Sequence, residues 1–236
     1  MILSHRHKFI YIKGRKVAST SIEIALSRVC GPDDIITPIT PADERQRLQA
    51  RNYSNNPKAE ARWLRRVERG SDKVAKPAKF YNHMSLTEVI DLVGDLSDYQ
   101  VLFAERSPYA KVLSCLNWRH GRRQYDGQQL KVGDAANLLS DFRESMKRPR
   151  NIDLYRMADG SLPSTGWRFE SLPASVNAFI EGLGYPPAEF PSAKRGIMAD
   201  AVDIHDWFGP AQLEMINEYF ADEFEAFGYP MVVPQG

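Results

Sequence analysis

The residues best placed for chemistry lie near the start of this 236-residue chain. One lysine precedes two apolar residues and three hydroxyl side chains, in the order Lys16, Val17, Ala18, Ser19, Thr20, Ser21. An ammonium group, hydroxyls and the backbone N–H groups that open a helix together suit a phosphate-like anion. An apolar run at 9–12, a break at Gly14 and helical spacing over 22–26 predict a strand, a tight loop and a helix. The pattern therefore indicates an oxyanion site at the end of a strand.

The order of these residues differs from the common phosphate loop of nucleotide-binding enzymes. A Walker A loop places its lysine behind two glycines, whereas here the lysine comes first and the hydroxyls follow. Residues 16–21 resemble the 5′-phosphosulfate loop of sulfotransferases, in the form seen in the carbohydrate branch of that family. The resemblance implies that these six residues bind the donor. The competing interpretation is an ordinary strand–helix turn in which the hydroxyls only cap the helix.

A second strand–turn–helix pattern follows further along the chain. Residues 101–104 form a continuous apolar run of the kind buried in a parallel sheet. Arg106 follows at the strand end, where ligands bind in open α/β sheets, and Pro108 suits a turn or the first position of a helix. The runs R-S-P-Y and K-V-L-S within 106–114 resemble the family's 3′-phosphate-binding segment. The resemblance implies that Arg106 and Ser114 hold the 3′-phosphate of the donor, and a guanidinium fork suits a dianion.

Two residues depart from the family pattern in this second segment. The family usually has an acid in place of Ser107 and an apolar residue in place of Glu105. A serine can still cap the helix that follows. A lone arginine such as Arg106 is more often a surface ion-pair partner, but two matching anion-binding turns at two strand ends are much less expected by chance. The resemblance runs from about residue 8 to about residue 230 and includes the run R-F-E-S-L at 168–172.

A histidine between the two donor motifs is the candidate base. Residues 82–85, N-H-M-S, resemble the element of uronyl 2-O-sulfotransferases in which a short strand ends in a histidine that accepts the acceptor's proton. The resemblance implies that His83 is catalytic together with Lys16, and an imidazole titrates near neutrality. Ser85 and Glu88 form a capping-box pattern for the next helix. The alternatives are that His83 only caps or packs, or that Glu23 is the base, although an acid there suits the helix dipole.

The remaining histidines and the cysteines give weaker signals. The other histidines are His5, His7, His120 and His205, and no pair has H-x-x-x-H spacing. Cys30 and Cys115 stand alone in the sequence. We therefore expect no metal site.

The chain has the size and composition of one globular α/β domain spanning residues 1–236. We expect a three-layer fold with a mostly parallel central sheet and helices on both faces, and the resemblance implies a P-loop-NTPase-like sulfotransferase fold. The predicted strands are 8–13, 79–82, 100–105 and 165–169, with a short extra strand near 35–37. The predicted C-terminal helices span about 173–183 and 211–227.

Charge and hydropathy suggest a compartment and one unusual segment. No secretory apolar region opens the sequence, no run approaches the roughly 20 apolar residues of a membrane span, and the two cysteines form no framework, so we expect a cytoplasmic protein.

Residues 44–79 are rich in lysine and arginine although the whole chain carries a net charge of only +1. This segment is either a lid for an anionic acceptor or a solvated helical face around 59–68. A nucleic-acid motif is absent, so nucleic acid is not expected as a partner.

Together these patterns predict transfer of a sulfuryl group from 3′-phosphoadenosine 5′-phosphosulfate to a hydroxylated acceptor. The acceptor could be an anionic carbohydrate or a small metabolite, and no metal is expected by analogy with the family. The alternatives are a P-loop-like nucleotide-dependent kinase and a catalytically inactive nucleotide-binding member of the family. The sequence leaves the identity of the acceptor and the oligomeric state open.

Overall fold

A computed structural model describes most of the chain, namely residues 1–48, 50–53, 65, 68–70, 80–121, 138–190, 204 and 207–234. Its strands are β1 (Ile2–Ser4), β2 (Phe9–Tyr11), β3 (Ile35–Ile36), β4 (Gln100–Glu105) and β5 (Thr165–Arg168). Its helices are α1 (Ser19–Ser27), α2 (Pro41–Glu44), α3 (Leu86–Val93), α4 (Pro108–Gly121), α5 (Leu138–Lys147), α6 (Ile152–Tyr155), α7 (Ala174–Gly182), α8 (Pro210–Tyr219) and α9 (Ala221–Phe227). A 3-10 turn (Phe169–Ser171) follows β5.

The strands form a mixed sheet in the order β3-β1-β2-β4-β5. Strands β2, β4 and β5 are parallel neighbours, with Tyr11 opposite Leu102 and Glu105 opposite Arg168. Strand β1 is antiparallel to both β2 and β3. Four of the five strands therefore point the same way, which confirms the predicted mostly parallel sheet.

Both faces of the sheet are covered by helices, as predicted. Side chains alternate along β4, so that Leu102 and Ala104 pack in one apolar cluster with residues of α1 and α7. Phe103 packs on the opposite face in a second cluster, with residues of α3 and α6. A continuous apolar run is what a strand buried on both faces requires. A third cluster joins α4, α5, α8 and α9 beyond the strand ends.

The N-terminal strand β1 was not predicted. Its three residues, Ile2–Ser4, are too few to show a period, and a turn at residues 5–8 leads directly into β2. The turn is held from elsewhere in the chain: one carboxylate oxygen of Asp34 accepts the N–H of His5 at 2.7 Å, and the other accepts the Ser4 hydroxyl at 2.8 Å. A tertiary contact of this kind leaves no local signature in the sequence.

The predicted strand at 79–82 is wrong over its described residues, 80–82. Phe80 is buried and its N–H donates to the carbonyl of Tyr53 at 3.2 Å, but the chain there is a bend and a turn. His83 has a φ of 60°, a left-handed conformation that ends any extended segment. The buried Phe80 therefore anchors a loop rather than a strand.

The predicted helix boundaries are largely confirmed. Helix α4 begins at Pro108. Helix α3 has the expected capping box: the Ser85 side chain accepts from the Glu88 N–H, and the Glu88 side chain accepts from the Ser85 N–H. The helix expected over 211–227 is interrupted at Phe220, which separates α8 from α9. The helix expected near 59–68 and most of the basic segment 44–79 lie outside the described residues. Within the described ranges, no helix is long and apolar enough to cross a membrane.

Candidate active site

The two predicted anion-binding turns lie at the same edge of the sheet. Strand β2 ends at Tyr11 and leads into the loop that carries Lys16, and β4 ends at Glu105, directly before Arg106. Because β2 and β4 are parallel neighbours, both turns leave the sheet at its carboxyl edge. This edge is where open α/β sheets bind ligands.

The loop before α1 has an unusual backbone. Lys16 and Ala18 have φ values of 64° and 55°, in the left-handed region that side-chain-bearing residues seldom adopt. Ala18 is the N-cap of α1, and its methyl group cannot accept a hydrogen bond from the first turn. The helix therefore lacks an N-cap side chain, so the interpretation of the hydroxyls as simple caps does not account for this turn. Ser19 and Ser21 are buried, and Thr20 is half-buried.

An exposed tryptophan lies beside the loop lysine. The Lys16 Nζ lies 5.2 Å from the centre of the Trp118 ring, and the Arg148 guanidinium carbon lies 5.9 Å from the same centre. Trp118 is 39% exposed and belongs to α4, the helix that follows Arg106. The two predicted anion-binding motifs therefore meet through this helix. Val17, the residue after the lysine, is fully buried and anchors the loop in the core.

A distant asparagine holds the loop in place. The Arg15 N–H donates to Oδ1 of Asn151 at 2.7 Å, and the Asn151 amide donates back to the Arg15 carbonyl at 3.0 Å. Gly14 is packed so closely that a Cβ atom there would lie 2.0 Å from the Tyr155 hydroxyl. That hydroxyl donates to the carbonyl of Ala104 in β4 at 2.9 Å. Helix α6 thus fixes the lysine loop to the neighbouring strand.

A buried cluster of one lysine and two glutamates connects β4, α4 and α9. The Lys111 Nζ lies 2.7 Å from Oε1 of Glu105 and 2.5 Å from Oε2 of Glu223, and all three side chains are buried. The other oxygen of Glu223 accepts the N–H groups of Asn151 and Ile152 at 2.6 and 2.9 Å. Burial raises the pKa of Glu105, and Glu223 adds to this while Lys111 opposes it. Glu105, the acid where the resembled family usually has an apolar residue, is therefore the partner of a buried lysine.

His83 is anchored to the end of β2. Its Nδ1 lies 2.9 Å from the carbonyl oxygen of Lys13, and because a carbonyl only accepts, Nδ1 carries the proton. The lone pair is then on Nε2, as a base requires. Burial lowers the pKa of His83 to about 4, with Lys13 and Arg15 contributing in the same direction and the hydrogen bond opposing them. The imidazole is therefore neutral at physiological pH.

Glu23 occupies a different environment from the one expected. It lies in the second turn of α1, and no acid occupies the first turn, so the role of complementing the helix dipole is wrong. Its Oε2 accepts from Lys13 Nζ at 2.5 Å and its Oε1 from the Met1 amine, and the side chain is fully buried. These cations lower its pKa although burial, the largest single effect, opposes them. Both oxygens of Glu23 already accept hydrogen bonds, which favours His83 as the base.

Arg106, just before α4, and Ser114, in the second turn of that helix, are both half-buried. The Arg106 guanidinium carbon lies 3.9 Å from the centre of the Phe169 ring, and burial lowers the pKa of Arg106 while Glu170 opposes that shift. The structure has no hydrogen bond between Arg106 and Ser114. Among the described residues no group of three histidine, cysteine or acidic side chains is placed to hold a metal.

Several residues that shape the site gave no signal in the sequence. Asn151 lies 136 positions from the backbone it holds, and only the fold brings them together. Phe169 lies in the run R-F-E-S-L at 168–172, and the sequence predicts no site role for it or for Trp118. The side chain of His120, and all of His205, lie outside what the structure describes.

Comparisons with known proteins give little further guidance. No family model matches the chain, and no curated protein matches it. A crystal structure of a sulfotransferase from Alicyclobacillus acidocaldarius is similar to it, with 16% sequence identity, a TM-score of 0.39 and coverage of 93% of each chain. An identity and a TM-score this low assign neither a family nor an activity. The functional conclusion therefore depends on the site residues themselves.

The tight packing around Gly14 gives a first prediction. Gly14→Ala should lower the free energy of unfolding by about 1–3 kcal/mol, because the added methyl group meets the Tyr155 hydroxyl. Urea denaturation measures this loss. In the double variant Gly14→Ala/Tyr155→Phe, removal of the hydroxyl should make the added methyl less costly than it is beside Tyr155. The matched control is Gly182→Ala in α7, where an added methyl meets nothing within 4 Å. Equal stability of Gly14→Ala and the unmodified protein would contradict the packing described.

Proposed function

We propose that this chain is a sulfotransferase that moves a sulfuryl group from 3′-phosphoadenosine 5′-phosphosulfate to an acceptor hydroxyl. One observation carries the proposal: a neutral histidine is anchored on Lys13, at the strand end that leads into the Lys16 loop, and Arg106 directly follows the neighbouring parallel strand. A base, a cationic loop and a second cation thus leave the same sheet edge. This is the set of groups that transfer from a doubly phosphorylated nucleotide requires.

In this proposal the loop and the start of α1 hold the 5′-phosphosulfate end of the donor. Thr20, Ser21 and the N–H groups of residues 16–21 donate hydrogen bonds to the 5′-phosphate, since helix N-termini and left-handed turns favour anions. Arg106 and Ser114 bind the 3′-phosphate, which distinguishes this donor from ATP. The loop then has a P-loop-like role without the Walker A sequence.

The chemical step follows from the same assignments. Nε2 of His83 removes the proton of the acceptor hydroxyl as its oxygen attacks the sulfur atom. The bond between sulfur and the bridging phosphate oxygen breaks, and its electron pair stays on the leaving adenosine 3′,5′-bisphosphate. Lys16 stabilises the charge that grows on that oxygen. A preorganised contact of this kind contributes about 2.7–4 kcal/mol to lowering the barrier.

The acceptor is a hydroxylated molecule, an anionic carbohydrate or a small metabolite. The basic segment 44–79 stays a candidate lid, but two of its arginines have other partners. Arg47 donates to Glu44 and to the carbonyl of Thr37, and Arg51 donates to the carbonyls of Cys30 and Gly31. Any attraction of an anionic acceptor would therefore come from other cations of the segment.

The kinase alternative needs a metal-binding acid after a strand. The acid at the end of β4 is Glu105, and its nearest charged partner is the buried ammonium of Lys111 at 2.7 Å. An ammonium in that position repels a divalent cation. This contact supports the sulfotransferase proposal over a kinase.

The donor itself provides the first test. Adenosine 3′,5′-bisphosphate should raise the melting temperature far more than ADP does, and without magnesium, because Arg106 reads the 3′-phosphate. A ligand at 100 times its Kd stabilises the folded state by about 2.7 kcal/mol, which a thermal shift assay detects readily. Equal shifts with both nucleotides, or a strict requirement for magnesium, would replace the sulfotransferase proposal by the kinase alternative.

Removal of Lys16 and removal of Arg106 should have different effects on turnover and on donor binding. Lys16→Ala should lower kcat by about 10²–10³-fold with little change in donor affinity, because its charge matters most as the leaving group departs. Arg106→Ala should instead weaken the binding of adenosine 3′,5′-bisphosphate by about 10- to 100-fold, the loss of charge-assisted hydrogen bonds. Lys8→Ala, at the opposite end of β2, is the control and should change neither quantity. Unaltered bisphosphate affinity in Arg106→Ala would show that the 3′-phosphate binds elsewhere.

The proposed role of His83 as the base should affect both the turnover and its pH dependence. His83→Ala should leave donor binding intact while turnover falls by about 10²–10⁴-fold. Since the pKa of His83 is about 4, activity should hold from neutrality down to about pH 5 and fall below it as the imidazole protonates. Circular dichroism at each pH separates this loss from acid unfolding, and exposed His5→Ala is the matched control. Full turnover in His83→Ala, with loss in a folded Glu23→Gln variant, would move the assignment to Glu23.

A further inference from the structure

The guanidinium of Arg106 is held by an aromatic ring rather than by an acid. Its central carbon lies 3.9 Å from the centre of the Phe169 ring, close enough for the guanidinium to lie against the ring face. The side chain is half-buried, and among the described residues no carboxylate lies within 4.0 Å of it. Burial of a cation without a close counter-ion is unfavourable, so this arrangement suits a cation that meets its anion in a ligand.

The sheet itself produces this contact. Strands β4 and β5 are parallel, and their last pair in register is Glu105 opposite Arg168. The next residues, Arg106 and Phe169, therefore leave the sheet side by side. Phe169 opens the 3-10 turn (Phe169–Ser171), which fixes the direction in which its ring leaves the strand. The backbone geometry thus brings the side chains of Arg106 and Phe169 to the same place.

The neighbouring acid is placed so that it does not neutralise the arginine. Glu170 follows Phe169, and its carboxylate accepts a hydrogen bond from the Tyr229 hydroxyl at 2.8 Å. Its charge favours the protonated form of Arg106, but the two side chains form no ion pair. Glu170 therefore supports the cation from a distance while the N–H edge of the guanidinium is left to bind a ligand.

We infer that Phe169 is a positioning residue that makes Arg106 selective for a terminal phosphate dianion, the 3′-phosphate of the nucleotide. A guanidinium stacked by its face on a ring can present its N–H groups in its own plane, which is the geometry of a two-pronged bond to phosphate. A freely rotating arginine would give charge without direction. This inference rests on the proposed function, because it assigns the 3′-phosphate to Arg106.

The test compares two nucleotides that differ only in the 3′-phosphate. Calorimetry gives the Kd of adenosine 3′,5′-bisphosphate and of adenosine 5′-monophosphate, and their ratio measures what the 3′-phosphate contributes. Phe169→Leu should weaken bisphosphate binding by about 3- to 30-fold and leave monophosphate binding unchanged, the range expected for loss of a cation–ring contact. Phe169→Tyr keeps the ring and should keep the ratio. In the Arg106→Ala background, Phe169→Leu should cause no further loss.

The controls separate positioning from general stability. Phe179→Leu removes another partly buried ring, one that packs on Phe9 in the core, and should leave the ratio unchanged. Phe169→Met replaces the leucine variant if that one does not fold. An unchanged ratio in Phe169→Leu, or equal weakening of both nucleotides, overturns the inference. Equal affinity of the unmodified protein for the two nucleotides would instead overturn the proposed function.

Discussion

The candidate site depends on one buried ammonium group shared between two carboxylates. Lys111 binds Glu105 at the end of β4 and Glu223 in α9, and all three side chains are buried. Removal of one partner from such a cluster leaves an uncompensated buried charge, which costs about 3–5 kcal/mol. Through Glu223 the cluster also orients Asn151, whose amide holds the backbone of Arg15. The Lys111 ammonium therefore couples helix α9 to the loop that carries Lys16.

The same arrangement separates structural charges from those that can meet a ligand. Three acids below the candidate site are bound to buried lysines: Glu105 and Glu223 to Lys111, and Glu23 to Lys13. At the rim, by contrast, Arg106 lies on the ring of Phe169 and has no close carboxylate among the described residues. An aromatic face restricts the orientation of a cation without cancelling its charge. The sheet edge therefore keeps a positive field where a phosphate group would approach.

The parts predicted from sequence are those encoded within a few residues of one another. The apolar run that ends before Arg106 and the capping box of Ser85 and Glu88 are local patterns, and the structure has both. The strand assigned to 79–82 failed because burial of Phe80 gives the same apolar signal in a loop as in a strand. Asn151 could not be found, since its partners are 136 positions away and its role exists only after folding. Short-range patterns thus locate the candidate residues, while long-range contacts decide their geometry.

His83 and the loop that carries Lys16 share one piece of backbone, and this limits how the candidate site can move. The carbonyl of Lys13 accepts from His83, its side chain binds Glu23, and the next residues form the loop that carries Lys16. Gly14 has room only for a hydrogen atom, so the segment cannot shift without disturbing Tyr155 and β4. A rigid segment of this kind keeps the distance between His83 and the loop fixed before any ligand arrives. Catalytic groups held in this way need little reorganisation during the reaction, which is the main source of electrostatic rate enhancement.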